Sequence, residues 1–250
     1  MGLFNLFKKN TRQEVPCDLS ILGCDIHSHF IPGIDDGAKT IEDSVQMITA
    51  MHALGYKKII TTPHIMGDFY RNTPENIREG LGKVRAALKE ANVPVAIDAA
   101  AEYYLDYDLE RKLDEGNLLT FGKNNNLLFE ISYLNAPENL FHFVFRLQTM
   151  GYQPILAHPE RYNFWHSKFY KYENLIDKGV KLQLNINSLT GYYSLSTKKI
   201  AEQLIDKGMI SYLGSDCHHM GHINLMQNVV YENHLKKLID SGKLLNDTLV

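Results

Sequence analysis

One phrase recurs along this chain: a stretch of helical periodicity, a glycine, then a short apolar or β-branched run. Its clearest copies are ALGYKKIITTPH (53–64), TMGYQPILAHPE (149–160), DKGVKLQLNIN (177–187) and DKGMISYLGSD (206–216). Glycine after a periodic helix is a stop signal, and a short apolar run bounded by such stops reads as a buried strand. Helix followed by strand, repeated, implies parallel βα units.

Helix starts agree with that phrase. Thr40 precedes Ile41 with Asp43 at capping-box spacing, while Thr73 precedes Pro74 and Ala136 precedes Pro137 at plausible first helical positions. The pattern predicts helices near 41–54, 74–91, 137–150, 170–178, 197–207 and 223–240. Strands are expected near 24–28, 58–62, 95–101, 126–130, 153–157, 181–186 and 210–214. Seven strands in alternation, with no glycine-rich phosphate loop after the first, predict an α/β barrel rather than a dinucleotide-binding open sheet. One such barrel uses most of 250 residues, so residues 21–250 are read as a single catalytic domain and 1–20 as an N-terminal extension.

Chemistry enters at the strand ends. The first expected strand runs into D25-I-H27-S-H29, and the second ends in T-T-P-H64. The third and fourth end in Glu102 and Glu130, the fifth in His158, and the seventh in G-S-D216-C-H218. In a parallel barrel these ends converge on one face. Side chains alternate along a strand, so His27 and His29 share a side, as do Asp216 and His218. Taken singly, each of these residues is more often a hydrogen-bonded structural group; six strand ends in agreement argue for a metal centre. Glu130 follows the apolar run Leu127-Leu128-Phe129, where an unpaired carboxylate is costly without a cation. Mixed imidazole and carboxylate donors suit Mn, Fe or Zn rather than Ca, and the number of donors suits two or three ions.

Charge then points to the ligand class. Asp36, Glu102, Glu130 and Asp216 carry fewer negative charges than three divalent ions carry positive ones, which leaves room for an anion such as phosphate. Arg161, in HPERY, falls on the same face and can clamp phosphate oxygens.

Other chemistries are excluded or disfavoured. A net charge of −3 without basic blocks gives no nucleic-acid footprint. Three cysteines, Cys17, Cys24 and Cys217, form no C-x-x-C pair and suggest a reducing cytoplasm. The residues six beyond them are Gly23, Phe30 and Ile223, so the C-x5-R loop of cysteine-dependent tyrosine phosphatases is missing, as is a P-loop. No run approaches the roughly 20 apolar residues of a membrane span. Leu3, Phe4, Leu6 and Phe7 beside Lys8 and Lys9 suit a short amphipathic segment that docks on the domain or lies at an interface.

The motifs resemble the polymerase and histidinol phosphatase (PHP) superfamily, and within it the metal-dependent protein-tyrosine phosphatases of bacterial capsule and exopolysaccharide clusters. The likeness runs in order over residues 22–245. It passes through D-I-H-S-H at 25–29, G-I-D-D-G at 33–37, T-P-H ending at His64, and A-E-Y-Y at 101–104. It continues through F-E ending at Glu130, A-H-P-E-R-Y at 157–162 and S-D-C-H at 215–218. It implies a distorted seven-stranded TIM-like barrel, a site of two or three divalent ions, most often Mn with Fe, Zn or Mg as alternatives, and hydrolysis of phosphotyrosine on a partner tyrosine kinase. The family's ligand pattern falls on His27, His29, Asp36, His64, Glu102, Glu130, His158, Asp216 and His218, and its phosphate-binding arginine on Arg161. Asp36 rather than Asp35 is the expected ligand because it stands just before the glycine. One departure is plain: the family carries another Arg shortly after its last motif, whereas 218–230 here has none.

The expected reaction is in-line attack of an activated water on phosphorus, with Arg161, Asp216 and His218 as the catalytic set and no covalent phosphoenzyme. Tyr103 and Tyr104, with Phe69, Tyr70 and Tyr162, follow ligand motifs and are candidates to receive the substrate's ring. Tyr192 and Tyr193 are open between substrate contact and packing. His219 and His222 are placed at the rim, and His52, His142, His166 and His234 are given no role. Two competing readings are a small-molecule phosphomonoesterase of the histidinol-phosphatase kind, which differs only at the rim, and a non-catalytic metal-binding regulatory module, which would be expected to have lost ligands.

Overall fold

The computed structural model describes residues 14–250. Most of the expected extension, with its apolar positions Leu3 to Phe7, lies outside the described residues. Among the described residues nine strands are present: β1 Cys24–Asp25, β2 Lys58–Thr61, β3 His64–Ile65, β4 Ala96–Ala99, β5 Glu102–Tyr104, β6 Asn126–Glu130, β7 Gln153–Ala157, β8 Lys181–Asn185 and β9 Tyr212–Gly214. The helices are α1 Ile41–Ala53, α2 Pro74–Glu90, α3 Tyr107–Glu115, α4 Leu140–Thr149, α5 Tyr170–Asp177, α6 Leu195–Asp206, α7 Met220–Val229 and α8 Asn233–Asp240.

Every ladder is parallel, but the strands form two sheets, ordered β1-β2-β4 and β3-β5-β6-β7-β8-β9. The expected parallel α/β plan is present, divided between a three-stranded and a six-stranded sheet. Beyond the expected strands 58–62 and 95–101 the chain breaks and resumes as the short strands β3 and β5, and Pro63, which has no N–H to donate, marks the first break. The neighbouring strand breaks in step, with Ala100 N donating to Thr61 O at 2.9 Å and Glu102 N to Pro63 O at 3.1 Å. At the opposite edge Ser28 and Cys217 form a parallel bridge, flanked by Asp216 N to His27 O (2.8 Å) and His29 N to Cys217 O (3.0 Å). The six-stranded sheet thus curls back toward the end of β1.

Caps set two helices where the sequence places them. Thr40 and Asp43 form a capping box at α1, and Thr73 and Asn76 form one at α2, with Pro74 in its first turn. Elsewhere the expectation needs correction. Helix α4 starts at Leu140, because Pro137 instead accepts from Leu140 N in a turn. The span expected at 223–240 is two helices; between them the Val230 carbonyl is taken by Cys17 N at 2.8 Å. Helix α3 is an addition to the expected elements, since YDLERKLDE buries only Leu109 and Leu113, one turn apart.

Alternation in β6 sorts the core. Leu127 and Phe129 join the larger cluster, which also takes up helix residues such as Phe143 and Leu147, while Leu128 joins a smaller one with Ile26, Ile60, Ile155 and Tyr212. Glu130 shares the Leu128 face, so the strand that buries an aliphatic floor also delivers a carboxylate above it.

Candidate metal centre

All nine expected ligands come together: Glu130 ends β6, His27 and His29, His158, and Asp216 and His218 follow β1, β7 and β9, His64 and Glu102 open β3 and β5, and Asp36 lies in the loop before α1. Glu102 lies at the centre: its Oε2 is 3.1 Å from His27 Nε2, 3.2 Å from His64 Nδ1 and 3.6 Å from His29 Nε2, and its Oε1 is 3.0 Å from His158 Nε2. Asp216 Oδ1 stands 3.4 Å from His27 Nε2, 3.5 Å from His29 Nε2 and 3.4 Å from His218 Nδ1. Glu130 Oε1 is 3.4 Å from His64 Nδ1, and Asp36 Oδ1 is 3.4 Å from His218 Nε2 and 3.6 Å from His64 Nε2. The donors fall into four overlapping groups, each compact enough to hold one ion: His29-Asp36-His64-His218, His27-His29-Asp216, His27-Glu102-His158 and His64-Glu102-Glu130.

Orphaned atoms test whether this set fits metal ions. His27 Nε2, His29 Nε2, His64 Nδ1 and Glu102 Oε2 are buried and make no hydrogen bond, although the nitrogens lie 3.1–3.6 Å from the carboxylate oxygen. Their lone pairs are close without being aimed along one another, as ligands around a shared ion are. Each unsatisfied buried polar group costs roughly 1–3 kcal/mol, and a cation shared by these four atoms would satisfy them together. The site fits.

Behind the ligands, neutral and acidic groups fix the rings. His29 Nδ1 donates to Asp35 Oδ2 and His27 Nδ1 to Gln183 Oε1, both at 2.8 Å, which leaves each Nε2 free to face the centre. Asp35 also accepts from Gly37 N at 2.9 Å and His64 N at 3.1 Å, so the two adjacent aspartates divide the work: Asp36 joins the ligand cluster and Asp35 orients it. Gly37 is required here, since a Cβ would sit 2.2 Å from the His29 carbonyl oxygen. Strand β7 would send residue 158 away from the site by alternation; His158 instead adopts a left-handed backbone (φ 33°) and reaches Glu102. Asp216 is likewise left-handed, at φ 48°.

Electrostatics match a cation-seeking cluster. Burial alone would lower the His27 pKa, but Glu102 and Asp216 carry it up to about 9. Burial alone would raise Glu102, but His27, His64 and His158 hold it well below the usual carboxylate range. Nearby, buried Glu160 is pushed up to about 7 by desolvation although Ser188 Oγ and Asn185 N donate to its Oε1.

Above the cluster opens a cleft of about 710 Å³. Arg161 projects along its wall, its Nη1 donating to Asp216 Oδ2 at 2.8 Å. Tyr70, stacked on His64, and Tyr104 line the cleft, as do Tyr192, Tyr193, His219 and His222. Tyr103 does not, which corrects its assignment to the substrate: alternation in β5 turns it away from Glu102, and its buried hydroxyl accepts from Leu119 N at 2.7 Å. Tyr162 is also buried, bonded to Ile131 N and the Ala157 carbonyl, and Phe69 is exposed outside the cleft. His52, His142, His166 and His234 lie away from it.

The sequence reading missed what β8, which supplies none of the nine candidate ligands, contributes. Its alternate residues support the site: Gln183 holds His27, and Asn185 Nδ2 donates to Asp216 Oδ2 at 2.7 Å. Amides at every second position of K-L-Q-L-N were the available signal. Tyr133, whose ring stacks on His158 at 5.8 Å, was also missed, and no motif marks it.

A family model for capsular polysaccharide synthesis proteins, CpsB/CapC, matches residues 23–238. The chain belongs to this family. It is 29% identical over 196 residues to the tyrosine-protein phosphatase YwqE of Bacillus subtilis, covering 78% of this chain and 77% of that protein. Tyrosine-protein phosphatase CpsB of Streptococcus pneumoniae is 26% identical over 201 residues, 78% of this chain and 83% of that one. Among solved structures, one from the work on B. subtilis YwqE and S. pneumoniae CpsB, described as metal-dependent tyrosine phosphatases, matches with a TM-score of 0.81 and 26% identity, over 90% of this chain and 93% of that one. An amidohydrolase from Mycoplasma synoviae, 14% identical with a TM-score of 0.53 over 94% and 87% of the two chains, shares the fold.

Proposed function

We propose that this CpsB/CapC family member is a metal-dependent protein-tyrosine phosphatase of capsule or exopolysaccharide synthesis, acting in the cytoplasm on phosphotyrosine of a partner tyrosine kinase. The observation that carries the reading is the set of four buried, unpaired donor atoms at the centre of nine converging ligands. His27, His29, Asp36, His64, Glu102, Glu130, His158, Asp216 and His218 would hold two or three ions, with Mn the favoured metal. Residues 21–250 act as one catalytic unit in this reading, a distorted barrel of seven strand positions interrupted at Pro63.

Divalent ions bound there supply Lewis acidity toward phosphate oxygens and lower the pKa of water. The chain does the rest. Arg161, on the cleft wall beside Asp216, takes the non-bridging phosphate oxygens, and Asp35 and Gln183 keep the imidazoles of His29 and His27 in register. Tyr70 and Tyr104 line the cleft that an incoming aromatic side chain would enter. A tyrosine leaving group has a pKa of about 10, so it departs without the strong general acid that a serine alkoxide demands.

The test is turnover of a phosphotyrosine peptide beside a phosphoserine peptide and histidinol phosphate, with manganese, with chelator and in His27→Ala. Manganese-dependent, chelator-sensitive turnover that prefers phosphotyrosine and is lost in the variant is expected. Preference for histidinol phosphate would transfer the site to small monoesters, and metal binding without turnover would make the protein a regulatory module.

A further inference from the structure

The guanidinium of Arg161 is held from three directions, and only one of its partners is a metal-ligand candidate. Its Nη1 donates to Asp216 Oδ2 at 2.8 Å, its carbon lies 4.3 Å from the centroid of the Tyr193 ring, and the same carbon lies 5.0 Å from the centroid of the Tyr133 ring. Both distances are in the range where a cation is attracted to a ring face. Asn185 links the arrangement, since its Nδ2 donates both to the Tyr193 hydroxyl at 2.8 Å and to Asp216 Oδ2 at 2.7 Å. The two oxygens of Asp216 are thereby divided: Oδ1 faces His27, His29 and His218, and Oδ2 is committed to Arg161 and Asn185.

We propose that Tyr193 and Tyr133 are positioning residues that hold the Arg161 guanidinium beside the metal cluster, so that it meets the phosphate already oriented. The proposal rests on the reading of Arg161 as the phosphate-binding cation. A long, flexible arginine otherwise loses side-chain freedom when it engages an anion; one already fixed by two rings and a carboxylate has lost it beforehand. The structure gives the two rings unequal parts. Tyr193 is tied through its hydroxyl to Asn185, while Tyr133 is 43% exposed at the mouth and stacks on His158 as well. Among the described residues that line the cleft Arg161 is the one Lys or Arg, so its orientation decides where a phosphate is received.

The experiment is a double-mutant cycle on the manganese-loaded enzyme, read as KM and kcat for a phosphotyrosine peptide and as inhibition by inorganic phosphate. Its variants are Tyr193→Leu, Tyr193→Phe, Tyr133→Leu, Arg161→Ala and each tyrosine variant combined with Arg161→Ala. Tyr193→Leu is expected to raise KM and weaken phosphate inhibition by about tenfold with a smaller change in kcat, and Tyr193→Phe, which keeps the ring, to restore most of that loss. In the Arg161→Ala background Tyr193→Leu should have almost no further effect, because its action passes through the arginine. Equal losses from Tyr193→Leu with and without Arg161 would overturn the positioning role. If Arg161→Ala itself leaves KM and phosphate inhibition unchanged, the phosphate reading of Arg161 fails first, and the proposal with it. Should Tyr193→Leu not fold, the half-exposed Tyr133→Leu completes the same cycle: a loss seen only where Arg161 is retained supports the role, and an equal loss with and without Arg161 overturns it.

Discussion

A histidine offers a metal only the nitrogen that its other nitrogen leaves free. Gln183 Oε1 and Asp35 Oδ2 each take the Nδ1 of one imidazole, which sets the tautomer and points Nε2 into the cluster. Removing such a partner leaves the ligand in place but lets its ring turn. Gln183→Ala is therefore expected to weaken metal affinity by about 10- to 100-fold while preserving the fold, measured by metal titration beside thermal melting. Unchanged affinity would mean that packing alone orients His27. Residue identity was legible in the sequence where a ligand ends an apolar run, as with Glu130 and His158. It was not legible for Gln183 or Asn185, because an amide on a strand has no distinctive pattern until the residue opposite it is known.

At the scale of elements, helix caps do more than start helices. Helix α2 begins with the Thr73–Asn76 capping box, and Asn72 immediately before it donates to Ile34 O at 2.9 Å and His64 O at 2.8 Å, tying the helix start to two segments that carry ligands. Thr73→Ala should cost about 1 kcal/mol of stability, read as a lower urea midpoint at constant slope. A midpoint equal to wild type would show that the tie through Asn72 makes the cap redundant. Caps were visible in advance because their chemistry is local, within three residues. Helix α3 was invisible for the opposite reason: its charged surface hides a two-residue apolar stripe, and only the packing of Leu109 and Leu113 shows that it is covered on one side.

For the molecule as a whole, the ligand cluster joins segments from β1 to β9, so metal binding and stability are linked. Among the described residues no helix is long and apolar enough to cross a membrane. Manganese present at about 100 times its dissociation constant should stabilise the fold by about 2.7 kcal/mol over the chelated protein, seen as a concentration-dependent rise in Tm. The rise should shrink in Glu102→Ala, which removes the carboxylate shared by two of the four donor groups and leaves the other two intact. A Tm indifferent to metal would sink the proposed metal centre.

The sequence by itself determined the parallel α/β plan and the candidate ligands at strand ends, because a helix stop, a buried strand and a polar residue at its end are all written within a dozen consecutive positions; Asp36, in a loop, came from the family resemblance. Only the tertiary structure decided how the strands divide at Pro63, which tyrosines face the cleft, and what holds Arg161. Those outcomes depend on register and sheet closure, in which residues such as Arg161 and Asp216, 55 positions apart, meet through the geometry of strands between them.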